Sequence, residues 1–297
     1  MNILSYFKNP SLVFRFGSPR KRQQYHKLRN FLTSGVLAKR REFTTSLPKP
    51  RQIIDSGKGF HKTNIFNSLE ALNDSINHGN ELIASHLGNF GGLPHKKNYL
   101  QNIEYELSLD NPFLQLGLNK DLVSIASEYL GFVPILSNIN LWYSPNDGSS
   151  TEGSQLFHLD WADIRQCKLF IPLKEIDDDT GPTTFLPAAE SSKVANAVNY
   201  RLSNESNRLE DEVVYSITDK SQVEKAGGEP GDIIFCDSCR CFHYGSRNAL
   251  KPRSLLMIQY LSPFSFVHPF FFRGKSKFSH LASPDSSEFE KMVLGAT

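Results

Sequence analysis

His158 and Asp160, separated only by Leu159, stand ahead of a β-rich run, and His243 and then Arg253 follow much later in the chain. Side chains two positions apart on a strand leave on the same face, so His158 and Asp160 can grip one ion together. A third ligand from a distant strand, His243, completes a set of two imidazoles and one carboxylate. Such a set leaves the opposite side of a metal open and is the usual cradle of non-haem ferrous oxygenases. Arg253 adds a planar fork that matches a carboxylate through two parallel hydrogen bonds, as at the far end of 2-oxoglutarate. The chemistry these four residues suggest is oxygenation with Fe(II), 2-oxoglutarate and O2.

The elements that must position them are strands. Pro134 to Ser144, Ile164 to Leu173, Thr183 to Leu186, Val213 to Ile217, Gly231 to Cys236 and Ser254 to Leu261 are short β-rich runs. Turn signals such as Pro145-Asn146-Asp147-Gly148 and Glu229-Pro230-Gly231-Asp232 separate them. Upstream, Asn67 to Asn77 and Asn119 to Tyr129 read as amphipathic helices, the second stopped by Gly131, and Ser191 to Leu209 reads as a helical insertion. Helices first, then many strands without alternating helices, predict a mainly β fold with flanking helices. The architecture expected is a double-stranded β-helix, that is, a cupin-like jelly roll.

Four stretches carry a family resemblance: Leu156-Phe157-His158-Leu159-Asp160, then Asp179 to Pro187 (DTGPTTFLP), then Pro230-Gly231-Asp232-Ile233-Ile234-Phe235, and last His243-Tyr244-Gly245-Ser246-Arg247-Asn248 with Pro252-Arg253. On them, the chain resembles the phytanoyl-CoA dioxygenase family over roughly 134–263. The resemblance implies that His158, Asp160 and His243 are the iron ligands and catalytic centre and that Arg253 holds 2-oxoglutarate. It also implies hydroxylation of an aliphatic carbon of a small-molecule or carrier-linked metabolite, with decarboxylation of 2-oxoglutarate to succinate and CO2. Two departures stand out. Pro187-Ala188-Ala189-Glu190 replaces a Pro-Gly-Ser-His turn common in the family, and Gly245 stands where some relatives use serine. Asp160 itself argues against the halogenase variant, which gives up this carboxylate. Tyr143 is the expected hydrogen-bond donor to 2-oxoglutarate, and Trp142, Phe157, Trp161 and Arg165 are candidates for the pocket wall.

Three alternatives remain at this stage. Cys236, Cys239 and Cys241 near His243 suggest a zinc site, although no second cluster completes a tetrahedral set. The same scaffold also serves a non-oxidative metal-dependent isomerase or a small-molecule binding protein. A third reading makes the N-terminal arm the working part.

The arm is distinctive. Residues 1–41 hold ten of the 33 Lys and Arg and no acid, which leaves 23 bases against 31 acids in the rest of the 297-residue chain. The expected organisation is a basic helical arm and linker over 1–50, then one oxygenase domain over 51–297 with a helical flank and a C-terminal extension. A charge run usually forms a solvated face, and the arm is also suited to contact with acidic surfaces. No convincing nucleic-acid motif accompanies it. No apolar run approaches the roughly 18 residues of a membrane span. Crowded cysteines without a disulfide pattern make a cytoplasmic location the expectation, with an organellar matrix as the alternative if the arm is a transit peptide.

Overall fold

The computed structural model describes residues 18–89, 100–146, 153–202, 207–267 and 276–296. The first part of the basic arm, the turn at Asp147-Gly148 and the Phe270-Phe271-Phe272 tail lie outside them.

Nine strands are described: β1 (Phe60–Thr63), β2 (Gln101–Ile103), β3 (Ile135–Ser144), β4 (Cys167–Pro172), β5 (Thr183–Phe185), β6 (Glu224–Ala226), β7 (Ile233–Cys236), β8 (His243–Tyr244) and β9 (Arg253–Leu261). They form a six-stranded sheet in the order β1-β7-β4-β9-β3-β2 and a three-stranded sheet in the order β6-β5-β8. All pairings are antiparallel. This is the mainly β, jelly-roll architecture that the sequence predicts. Val213 to Ile217, however, is not a strand. Its residues fall in and after a short helix, Asp211–Tyr215. Two β-branched residues in tandem suggested a strand, and local context overrode that weak preference.

Register decides which side chains meet. In the large sheet Arg253 opposes Ser144, Leu255 opposes Trp142 and Pro172, Met257 opposes Phe170, and Gln259 opposes Lys168. Directly opposed residues share a face. These positions therefore line one side, where Phe60, Phe170, Phe185, Ile234, Leu255 and Met257 form an apolar cluster with Trp142 against it. The alternate residues, including Leu141, Tyr143, Leu169, Phe235, Leu256 and Ile258, face the other way.

That outer face is covered by helices. The described helices of the basic arm are α1 (Pro19–Leu32) and α2 (Ser34–Thr44), the second adding Leu37 to the core on that face, and α3 (Glu70–Asn89), α4 (Pro112–Gly117) and α5 (Lys120–Leu130) follow. Asn119 caps α5 by accepting from the Asp121 and Leu122 amides, and Gly131 ends it at φ 82°, a conformation that favours glycine. Leu122, Val123, Ile125 and Ala126 of α5 join the large core with the outer sheet face. No described helix is long and apolar enough to cross a membrane.

Three arginines of the arm are buried. Arg22 donates to the carbonyls of Trp161 at 2.9 Å and Asp163 at 2.7 Å, and Arg29 lies 3.6 Å from the Asp163 carboxylate. Helix α1 thus braces the segment just after Asp160. Arg40 donates to Val133 O at 2.8 Å, Pro134 O at 3.4 Å and Met292 O at 2.9 Å. Burial pushes its pKa down to about 10. Replacing it would take the donor from Val133 O and Pro134 O, while Met292 O keeps the Gly295 amide at 3.1 Å, and each buried unsatisfied group costs about 1–3 kcal/mol. Arg40→Ala is expected to lower unfolding stability by about 3 kcal/mol in chemical denaturation; an unchanged midpoint would show that the contacts carry no weight.

Candidate metal centre

A short main-chain pairing creates the site. His158 and His243 exchange N–H···O=C bonds, each 3.1 Å, as an isolated antiparallel bridge. Their rings consequently stand together, with centroids 4.2 Å apart. Asp160, two positions on, keeps the same face, and its amide donates to Ser238 O at 2.8 Å. One ligand atom from each of His158, Asp160 and His243 lies within 4.8 Å of the others, the one such donor cluster among the described residues.

Protonation states suit a metal. His158 Nδ1 is 2.8 Å from Leu156 O, and His243 Nδ1 is 3.0 Å from Cys241 O. A carbonyl only accepts, so each Nδ1 carries the hydrogen and each neutral ring leaves its Nε2 lone pair for an ion. Burial, with the neighbouring imidazole adding to it, moves the His158 pKa well below the usual histidine range. Burial also lowers that of His243. For Asp160, burial works toward protonation, but the Lys168 ammonium and the two imidazoles outweigh it and hold the carboxyl well below the usual carboxylate range.

The carboxylate is held on one side. Asp160 Oδ2 accepts from Lys168 Nζ at 2.6 Å, from Gln166 Nε2 at 3.2 Å and from the Ser238 hydroxyl. Gln166 is itself fixed by Gln259 Nε2, which donates to its Oε1 at 2.7 Å. Oδ1 has no such partner among the described residues and remains for coordination. Lys168, Gln166 and Ser238 were not foreseen from the sequence. A lone lysine in the apolar run Cys167-Lys168-Leu169-Phe170-Ile171-Pro172 was the available signal, since an unpaired buried lysine is rare.

Arg253 opens β9 on the interior face. Its Nη1 donates to Gly181 O at 2.9 Å and reaches Thr183 Oγ1 at 3.5 Å, and Nε has no partner among the described residues. Thr183 stands two positions before Phe185, which opposes His243. The guanidinium therefore lies roughly 7 Å along β5 from the histidine row. Gly245 leaves room for it: a Cβ there would come within 3.2 Å of Nη1. Burial lowers the Arg253 pKa to about 10.

The other candidates divide. Trp142 packs against the interior cluster, and Trp161 packs against the cluster that contains Phe157 beside the site. Tyr143 is not brought to Arg253. It opposes Ser254 and packs in the helix-covered core, because adjacent strand residues point to opposite faces. Arg165 donates to Tyr129 O at 3.1 Å and stacks on the Tyr129 ring instead. Cys236, Cys239 and Cys241 are buried free thiols and form no metal-holding group among the described residues.

No family model matches the chain, and no curated protein matches it. Solved structures do. EctD from S. alaskensis in its apoform aligns with TM-score 0.52 and 16% identity, covering 72% of this chain and 80% of that one. The structure of EctD from S. alaskensis with 2-oxoglutarate and 5-hydroxyectoine aligns with TM-score 0.50 and 15% identity, covering 70% and 73%. The likeness establishes a shared fold.

Two outcomes follow from the electrostatics. Because both imidazoles titrate below the usual 6.5, protons should not compete with a divalent ion until the pH falls below about 6.5. Cobalt(II) affinity is expected to stay flat from about pH 8 to 6.5 and then to drop; a tenfold decline beginning above pH 7 would contradict the assignment. Lys168→Met, by removing a cation beside Asp160, should tighten cobalt(II) binding roughly tenfold in the same titration, whereas equal or weaker binding would show that the lysine does not oppose the ion.

Proposed function

We propose that the chain is an Fe(II)- and 2-oxoglutarate-dependent oxygenase of the phytanoyl-CoA dioxygenase type, hydroxylating an aliphatic C–H of a small-molecule or carrier-linked metabolite. The observation that carries the reading is the pairing of two incomplete groups on one interior face. His158, Asp160 and His243 offer three converging ligand atoms, and Arg253 offers a buried fork without a carboxylate partner among the described residues. A buried unpaired cation is unfavourable, and a dicarboxylate reaching the ion from that side would satisfy it. A binding protein or isomerase has no evident need of that second group.

His158, Asp160 and His243 would hold the iron and Arg253 the far carboxylate of 2-oxoglutarate. When bound, the pair supplies oxidative decarboxylation with O2, placing one oxygen atom in succinate and the other in the hydroxylated product. The protein's own work is positioning and exclusion. Leu156 O and Cys241 O fix the ring tautomers, and Lys168, Gln166 and Ser238 fix the Asp160 rotamer. Trp142, Phe170, Phe185, Leu255 and Met257 surround the interior with apolar side chains that keep water out.

Ferrous iron and 2-oxoglutarate added without oxygen should give a weak visible charge-transfer band, and oxygen should then release succinate. His158→Ala is expected to abolish both. Arg253→Gln should keep iron but raise half-saturation by 2-oxoglutarate roughly ten- to a hundredfold, the loss of a charge-assisted pair. Iron-loaded wild-type protein that shows no band on saturation with 2-oxoglutarate would defeat the proposal.

A further inference from the structure

We infer that the substrate carries an anionic group and that Arg208 receives it beside the metal centre; the inference rests on the oxygenase reading above. Phe157 and Leu209 exchange backbone hydrogen bonds of 3.1 and 2.8 Å in an antiparallel bridge. The next rung sets Arg208 opposite His158, and His158 in turn opposes His243. Directly opposed side chains share a face, and a rung without backbone hydrogen bonds brings them closest. The row therefore reads Arg208, His158, His243, Phe185, with the guanidinium on the side of His158 away from Arg253.

Arg208 is half-buried, and its Nη1 donates at 3.1 Å to the carbonyl of its own neighbour Asn207. It has no acidic partner among the described residues. Nearby cations are otherwise accounted for: Arg247 pairs with Asp211 at 2.6 Å, and Lys168 pairs with Asp160 at 2.6 Å. Glu224, next in the row beyond Phe185, is taken by Lys58 at 2.7 Å. Among the described residues, Arg208 is thus the cation without an acidic partner at the ligand face.

The charge balance points the same way. Lys168 already offsets Asp160, the one carboxylate in the ligand set. A divalent ion and a dicarboxylate cancel each other, and Arg253 and Arg208 then leave two positive charges in a chamber walled by apolar side chains. Such a site favours an anion and disfavours a cation. Arg253 lies beside Gly181 and Thr183 with the cosubstrate's far end, so Arg208 remains for the substrate. A planar guanidinium donates two parallel hydrogen bonds to either a carboxylate or a phosphate.

The test uses full-length protein loaded with manganese(II) and saturated with 2-oxoglutarate. Phenyl phosphate, benzoate and neutral benzyl alcohol serve as probes, read by paramagnetic relaxation of the probe nuclei. Saturable relaxation by one or both anions, at least tenfold stronger than by benzyl alcohol, is expected; which anion dominates identifies the group. Arg208→Gln should weaken the anion's binding at least tenfold, and Arg208→Lys should restore part of it. Binding that ignores probe charge, or anion binding unchanged in Arg208→Gln, overturns the assignment of Arg208 alone. Wild-type protein that takes up neither manganese(II) nor 2-oxoglutarate overturns the oxygenase reading and this inference together.

Discussion

The mutual backbone hydrogen bonds between His158 and His243 are the constraint on which the site depends. Eighty-five positions separate the two residues, yet one isolated bridge sets their rings 4.2 Å apart and fixes the face they share. A slip of one residue would turn either ring to the other side, because strand side chains alternate. Everything else follows that parity. Asp160 keeps the face by lying two positions on, Phe185 joins the row through β5, and Gly245 clears the space that Arg253 enters.

Charge is the second organising element. Lys168 pairs with Asp160, whereas Arg208 and Arg253 have no carboxylate partner among the described residues, an arrangement that would be unfavourable in a chamber meant to stay empty. Among the described residues, Lys168 on Asp160 is the compensating pair at the ligand face. That contact saturates Oδ2 and leaves Oδ1 for an ion, so the same lysine orients the ligand while diminishing its negative charge. Outer partners of this kind both orient a ligand and tune the metal it holds.

The convergence of His158, Asp160 and His243 was legible because their types and order are demanding, and because the β-rich runs around them have clear turn signals. The jelly roll followed from the same runs. Tyr143 was misplaced because parity is relative: sequence marks alternation along a strand but not which face meets the interior, and only the pairing of Tyr143 with Ser254 decides it. Arg22, Arg29 and Arg40 were counted as solvated charge, since their partners include backbone carbonyls and one distant aspartate that no composition reveals. Arg208 escaped notice for a related reason. Its significance comes from a two-residue bridge, too short to leave a periodic trace.

The most direct measurement is a crystal structure of the protein grown without oxygen in the presence of ferrous iron and 2-oxoglutarate. The account predicts one ion held by the Nε2 atoms of His158 and His243 and by the Asp160 carboxylate, with the far carboxylate of 2-oxoglutarate on the Arg253 guanidinium. An ion bound elsewhere, or 2-oxoglutarate seated away from Arg253, would contradict it.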